Sequence, residues 1–422
     1  MVLAGDAVRY SIGWVGWGAL VVFLVAATVV YLAVFNPIKT LSRIPVPLVL
    51  LLGLMVASTL WSQYRSSTLM SLGIQIGSTL FAIFLANQFG WRQLLNILTN
   101  TIRFILVSSL FFELAAAIFG PIKPIFPNYE GDTPPTPAYL WSQGHLFDGD
   151  RIQGIVGNAN LIAFVAVLGA LLFLVEAIVT HKNRWIPVAS LLLAILLAAL
   201  AKSGGMAVAL VIILFAAAVA IFAEGRERPM RHRIYKRAIG FAAFAGLLAL
   251  VYRVEIFELL GKSPDASGRG YIWGKVLNLI WEKPLEGWGW IGYWIPGVEP
   301  YEGLIVIGGV PMYQAHNAYL DIWLQLGIFG VIALIWLMIA SFVRLWAVAV
   351  RHTNPLYLFP LFVFLVIAAQ SLTESRLIIE SGWILLVLLA TKSREPFAEL
   401  EPLGRTSKRL KLLRIPSGLF RR

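Results

Sequence analysis

The sequence predicts an all-α integral membrane protein: a polytopic bundle of about 11 transmembrane helices (12 possible) with two long extracytoplasmic loops. Three observations predict it. Of 422 residues, 59% are hydrophobic and 13% charged, against roughly 25% charged in a soluble domain, and the mean hydropathy is +0.79. So few charges cannot coat a water-facing surface on a chain this long. Apolar runs of about span length recur from end to end, which is the signature of helices crossing a hydrocarbon core ~30 Å thick. Lys and Arg are unevenly shared between the two sets of connecting loops, 23 against 11, and the richer side is expected to be cytoplasmic.

The spans are expected near 14–35, 46–61, 68–87, 97–119, 158–180, 186–202, 205–223, 238–252, 317–341, 355–372 and 376–391. The first lacks a small-residue cleavage site and reads as a retained helix rather than a signal peptide. Residues 1–391 then form a single polytopic membrane domain, and 392–422 a basic cytoplasmic tail. Two long loops fall on the outer face, at about 120–157 and 253–316. The second contains Ile272, Val276, Leu279 and Ile280 at i, i+4, i+7 and i+8, one face of a helix that Pro284 ends. This helix is expected to lie along the membrane interface. Glycine and aromatic residues follow, at 286–294.

Composition excludes several classes. The net charge of +12 would suit nucleic acid on a soluble protein. Here the basic residues flank apolar spans and fit orientation and anionic lipid instead, so no nucleic-acid partner is expected. There is no cysteine, which removes disulfide, thiolate and cysteine-metal chemistry. No Walker motif occurs, so ATP-driven work is not expected. The outer acids Asp132, Asp148, Asp150, Asp265, Glu299 and Glu302 show no metal-ligand spacing, so neither a metal nor another cofactor is expected.

The outer face holds the residues suited to chemistry. His181, His232 and His352 fall on the cytoplasmic side, leaving His145 and His316 outside. His316, at the mouth of a span, reads either as a proton acceptor near neutral pH or as an interfacial hydrogen-bonding residue. Arg65, Arg151, Arg269 and Arg376 lie at outer span ends, against the positive-inside tendency. They read either as guanidiniums converging on a diphosphate or as snorkelling and locally paired residues, for example Asp150 with Arg151. Arg269 also stands in Ser267-Gly268-Arg269-Gly270 before the amphipathic helix, where a helix N-terminus favours anions. Trp288, Trp290, Tyr293 and Trp294 read as a sugar-stacking surface or an aromatic belt. Glu113, Glu374 and Glu380 are carboxylates at membrane depth or its edge, and such groups are functional candidates. Glu374 also has Arg376 as a possible local partner.

Several short motifs stand in order along the chain. They are Leu60-Trp61-Ser62, Arg151-Ile152-Gln153-Gly154 before Gly157-Asn158-Ala159-Asn160-Leu161, Ser267-Gly268-Arg269 with Trp273, and Lys283-Pro284-Leu285-Glu286-Gly287-Trp288-Gly289. His316-Asn317-Ala318-Tyr319-Leu320, Gly327-Ile328-Phe329-Gly330 and Thr373-Glu374-Ser375 follow. This order resembles the superfamily of O-antigen ligases and O-antigen polymerases, which includes exopolysaccharide-production proteins. Ligases of that family have twelve spans. Its members often carry arginine in the turn between the sixth and seventh spans, where this chain reads Lys202-Ser203-Gly204-Gly205.

The resemblance implies a bacterial inner-membrane glycosyltransferase of the cell envelope or of exopolysaccharide synthesis. It would move a glycan from a polyprenyl-diphosphate (undecaprenyl-type) carrier to a glycan or lipid acceptor hydroxyl on the extracytoplasmic side, with inversion and without metal. His316 and Arg269 are the implied catalytic residues. Arg151, Arg269, Arg65 and Lys202 would bind diphosphate, and Asn160, Asn317, Tyr319 and Glu374 would surround them. Polymerase and ligase differ only in acceptor. The alternative is a secondary transporter or flippase, which would show inverted repeats and midplane ionisable residues.

Overall fold

A computed structural model describes residues 2–35, 43–127, 136–180, 183–223, 226–252, 255, 268–351 and 354–395. The histidines at 181 and 352, the side chain of His232, Asp132, Asp265, and the tail beyond 395 lie outside the described residues.

The fold is a helical bundle. In chain order its helices are α1 (Gly5–Phe35), α2 (Val46–Ala57), α3 (Arg65–Gln88), α4 (Trp91–Phe119), α5 (Ala159–Val179), α6 (Trp185–Ala201) and α7 (Gly204–Ala223). α8 (Arg228–Val251), α9 (Arg269–Glu282), α10 (Ala318–Arg351), α11 (Phe359–Gln370) and α12 (Glu380–Lys392) complete it. Each span predicted from sequence overlaps one of these helices. By length and composition α1, α3, α4, α5 and α10 can each cross a membrane, and shorter apolar helices cover Val46–Leu60, Trp185–Ala201, Gly204–Val219 and Pro355–Gln370.

Packing explains the short helices. α12 has 13 residues, about 20 Å at 1.5 Å per residue, which is less than the hydrocarbon core. Its residues from Ser381 to Lys392 are buried by protein, chiefly α3 and α11. α5 is the other core helix, sheathed by α4, α6, α7 and α11. α1, by contrast, shows apolar side chains such as Val22, Phe23 and Val30 on its surface, as a lipid-facing helix does.

The second loop is a small folded unit, and two expectations are corrected there. Ile272, Val276 and Ile280 of α9 are buried against Trp288, Ile291, Trp294, Tyr301 and Ile305. The helix therefore turns its apolar face into the loop's own core, not to the membrane surface, because that core offers a better-packed partner than a headgroup layer. Trp290 and Trp294 are buried too, so the stretch at 288–294 is packing rather than a sugar-stacking surface. The unit also contains a hairpin, β1 (Val306–Ile307) with β2 (Val310–Pro311), turned by Gly308 and Gly309 at positive φ. The protein is thus not all-α to the last residue.

α10 is broken at Gly327, whose φ is 65°. A Cβ there would lie 1.8 Å from the Leu285 carbonyl oxygen. The break lets the 284–289 segment pair with it: Trp288 N donates to Leu324 O (2.9 Å), Gly289 N to Gln325 O (2.9 Å) and Ile328 N to Pro284 O (3.0 Å). Backbone groups freed by a broken helix must find such partners when water is scarce. The glycines of Glu286-Gly287-Trp288-Gly289 and Gly327 answer to one crossing. That crossing anchors the loop unit to the bundle and so aims Arg269 and His316.

Candidate functional site

The site is assembled from both long loops and the α11–α12 turn. On the first loop, Glu113 of α4 is fully buried and accepts hydrogen bonds from Gln153 N (2.9 Å), Gly154 N (2.6 Å) and the Ser142 hydroxyl (3.0 Å). This intramembrane carboxylate therefore holds the segment that carries Arg151. From there Arg151 Nε donates to Ala201 O (3.0 Å) and Nη2 to Asn160 Oδ1 (2.7 Å). Asn158 caps α5 by accepting from Asn160 N and Leu161 N, which fixes Asn160 in the first turn.

Asn160 then links to the third segment. Its Nδ2 donates to Glu374 Oε1 at 3.0 Å. Glu374 Oε2 receives Gln314 Nε2 (3.2 Å) and stands 3.0 Å from His316 Nδ1. Arg269 Nη2 lies 3.7 Å from Glu374 Oε1 and donates to Thr373 O at 3.1 Å. One carboxylate thus gathers Asn160, Gln314, His316 and Arg269, with Arg151 one hydrogen bond further out.

The protonation pattern follows. Burial pushes the Glu374 carboxyl up, but the hydrogen bond from His316 and the charges of His316, Arg376 and Arg269 hold it below the ordinary carboxylate value. An ionised carboxylate only accepts hydrogen bonds. An Nδ1–H of His316 is therefore the donor toward Glu374, and in the neutral imidazole Nε2 is then the acceptor. Burial lowers the Arg151 guanidinium from its ordinary range, and Arg269 pushes the same way while Asp150 and Glu374 oppose. Arginine stays charged through such shifts, so two cations flank the Glu374 carboxylate, Arg269 directly and Arg151 through Asn160. Arg269 Nε is buried and has no hydrogen-bond partner among the described residues. It begins α9, whose amide groups also favour an anion.

Backbone strain gathers here. His316 (φ 50°) and Lys202 (φ 47°) are left-handed non-glycine residues, a conformation that a side chain adopts at a cost of about 1–3 kcal/mol. Lys202 closes α6, and its Nζ donates to Gly149 O, two residues before Arg151. Ser203 Oγ donates to Asn160 Oδ1 at 3.3 Å.

Of the residues singled out by sequence, His316, Arg269, Arg151, Asn160, Lys202 and Glu374 come together. Asn317 caps α10 through Tyr319 N (3.0 Å) and Leu320 N (3.2 Å), and the Tyr319 hydroxyl accepts from Ser371 (3.3 Å). Both support the site from behind. Arg65 does not join: it is exposed and donates to Leu60 O (3.2 Å), because α3 starts beside the 58–60 turn. Arg376 does not join either, and it is not the hydrogen-bonded partner of Glu374. With Asp6, Arg9 and Glu380 it closes a ring of four ion pairs that ties α1 to α12. His145 bonds within its own loop to Asp148 (2.6 Å) and Gln143 (3.0 Å).

Sequence reading missed Gln314, Ser375 and Asp321. Asp321 had a legible signal, being the only acidic residue in α10. Ser375 was seen only as part of Thr373-Glu374-Ser375, with no role, and Gln314 had no signal, since its bonds cross from one loop to another.

Residues 154–335 match the family model described as O-Antigen ligase. That range contains Asn160, Lys202, Arg269 and His316, and stops short of Arg151 and Glu374. The exopolysaccharide production protein ExoQ of Rhizobium meliloti (strain 1021) is 27% identical over 112 residues, which are 25% of this chain and 26% of that protein. The chain therefore aligns with about a quarter of the length of this curated relative.

Proposed function

From a chain that carries an O-antigen ligase family region over residues 154–335, we propose that it transfers a glycan from a polyprenyl-diphosphate carrier to an acceptor hydroxyl, as a polymerase or ligase of envelope or exopolysaccharide synthesis. The observation that carries this reading is the Glu374 hub, which gathers a histidine and two guanidiniums about one carboxylate.

In this reading His316 Nε2 takes the proton from the acceptor hydroxyl as its oxygen attacks the anomeric carbon. The bond from that carbon to the diphosphate oxygen breaks, and the electron pair leaves with the diphosphate. Attack from the opposite face inverts the centre. Glu374 orients the imidazole and steadies the imidazolium that forms. Arg269 and Arg151 stabilise the charge growing on the departing diphosphate. Their guanidiniums supply the positive charge that a metal would otherwise bring. Lys202, whose Nζ holds Gly149 O two residues before Arg151, would add a further positive charge.

The chemistry faces the extracytoplasmic side of the inner membrane, with about eleven spans (twelve being the alternative) and a cytoplasmic basic tail. The Lys and Arg distribution supports that orientation. The donor and acceptor are a lipid-linked glycan and a glycan or lipid. The name of the curated relative, an exopolysaccharide production protein, favours a glycan acceptor and so a polymerase. A transporter would use broken helices to line a cavity. The break in α10 is instead filled by backbone from 284–289.

The test is glycan transfer by the purified full chain in nanodiscs, given polyprenyl-diphosphate oligosaccharide in the presence of EDTA. Lengthened lipid-linked chains, lost in Arg269→Ala and in His316→Ala, are expected. Transfer only to an added acceptor identifies a ligase. No product from wild type, or full activity in both variants, overturns the reading.

A further inference from the structure

Asp321 of α10 is fully buried, yet neither the mechanism above nor the family match gives it a task. Its Oδ1 accepts Trp294 Nε1 at 2.9 Å. Its Oδ2 accepts two donors, Ala315 N at 2.8 Å and the Ser375 hydroxyl. Ser375 Oγ in turn accepts Asn317 N at 3.2 Å. The residues on either side of His316 are therefore both tied to the Asp321–Ser375 pair, Ala315 directly and Asn317 through the hydroxyl. Ser375 also follows Glu374 in the chain.

We propose that Asp321, acting through Ser375, is a positioning residue that sets the register between His316 and Glu374. A single carboxylate oxygen holds the residue before the histidine and the residue after the glutamate. This fixes the left-handed turn at His316, with its φ of 50°, which an unsupported histidine seldom adopts. It also fixes the distance between two loops that no regular secondary structure joins. Trp294 brings in the folded unit of the second loop, so the clamp ties that unit, α10 and the α11–α12 turn at one point.

The chemistry explains why a carboxylate stands here. Three donors converge on it, and all approach from inside the protein. An amide would offer a single acceptor oxygen and present an N–H to at least one of them. A buried carboxylate that satisfies three donors is stable where an unpaired one is not.

The inference rests on the reading of His316 as the base, and its test has one arm that does not need activity. Histidine is labelled with ¹⁵N in the full chain, and His316→Gln identifies the His316 signals among those of five histidines. Wild type is expected to show protonated Nδ1 and unprotonated Nε2. In Ser375→Ala, which changes no charge, and in Asp321→Asn, the two tautomers are expected to mix. In the transfer assay kcat should fall about 100-fold in each, the scale of an ångström misplacement. KM for the donor should stay within about threefold, because Arg151 and Arg269 do not touch the clamp. The double variant should be no worse than the poorer single one, as expected for two residues acting as one unit. If Asp321→Asn does not fold, Ser375→Ala carries the test alone. An unchanged tautomer in Ser375→Ala, or additive losses in the double variant, overturns the proposal. A tautomer change in a protein that transfers no glycan upholds the clamp and sinks the reading of the reaction.

Discussion

His316 Nδ1 stands 3.0 Å from Glu374 Oε2, across 58 residues of sequence. The second oxygen of the same carboxylate takes Asn160 Nδ2, across 214 residues. Glu374 therefore connects the α5 terminus, the second long loop and the α11–α12 turn, and an ionised carboxylate there favours a proton on His316 Nδ1.

Glu374→Gln is expected to keep the shape and lose the tautomer. An amide can offer its N–H to Nδ1 and leave the proton on Nε2, where it blocks proton uptake. kcat should drop by about 10²–10⁴-fold, the contribution of a positioned general base, with a small change in KM. Steady-state transfer kinetics check this. A fall in KM-limited rate alone would show that Glu374 serves binding and not the base.

The acid limb of stability should also report Glu374. Its carboxyl lies below the ordinary value of 4.5, burial opposing and the His316 bond with the His316, Arg376 and Arg269 charges prevailing. A carboxyl depressed on folding adds stability that is present above its unfolded value and is lost as pH falls through the folded one. The thermal midpoint of wild type minus that of Glu374→Gln should be constant above about pH 4.5 and shrink below it. Parallel curves down to the acid limit would contradict this assignment.

Glu113→Ala should loosen the Arg151 loop. It leaves Gln153 N, Gly154 N and the Ser142 hydroxyl without their acceptor, and each buried donor so stranded costs about 1–3 kcal/mol. Thermal unfolding in detergent should show a lower midpoint, and donor KM should rise because Arg151 hangs on that loop. An unchanged midpoint would mean that the loop finds other acceptors.

Gly327→Ala should not yield folded protein. Its φ of 65° disfavours a side chain, and the new Cβ would meet the Leu285 carbonyl at 1.8 Å. Gly73→Ala is the control. It lies in α3 with open space where a Cβ would go, and should be neutral or stabilising by up to about 1 kcal/mol. Monodispersity on size exclusion after extraction separates the two. Equal yields would show that the crossing of 284–289 with α10 tolerates displacement.

The membrane class and the approximate places of the apolar helices were legible in the sequence. Hydropathy is a property of a stretch of residues, and a stretch long enough to cross a bilayer declares itself without its neighbours. The apolar face of α9 was equally plain, since Ile272, Val276 and Ile280 recur at helical spacing. What that face packs against was not, because periodicity names a buried side and leaves the burying partner open. The same holds for the glycines at 287 and 327, which are 40 residues apart in the chain and meet at one backbone crossing.

The sequence by itself determined that this is a helical membrane protein, and it pointed to arginines and a histidine in or near the long loops. Only the tertiary structure decided which of them meet. Four arginines at the ends of predicted spans looked alike in sequence, and their side chains obey the same local chemistry. Helix packing brings Arg151 and Arg269 to Glu374, leaves Arg65 beside its own turn, and commits Arg376 to a ring with Asp6, Arg9 and Glu380 whose Arg9–Glu380 bond spans 371 residues. Hydrogen bonds and ion pairs act over a few ångströms, while the pattern in a chain acts over a few residues. Where the two scales part, as at Asp321 between Ala315 and Ser375, the site belongs to the fold.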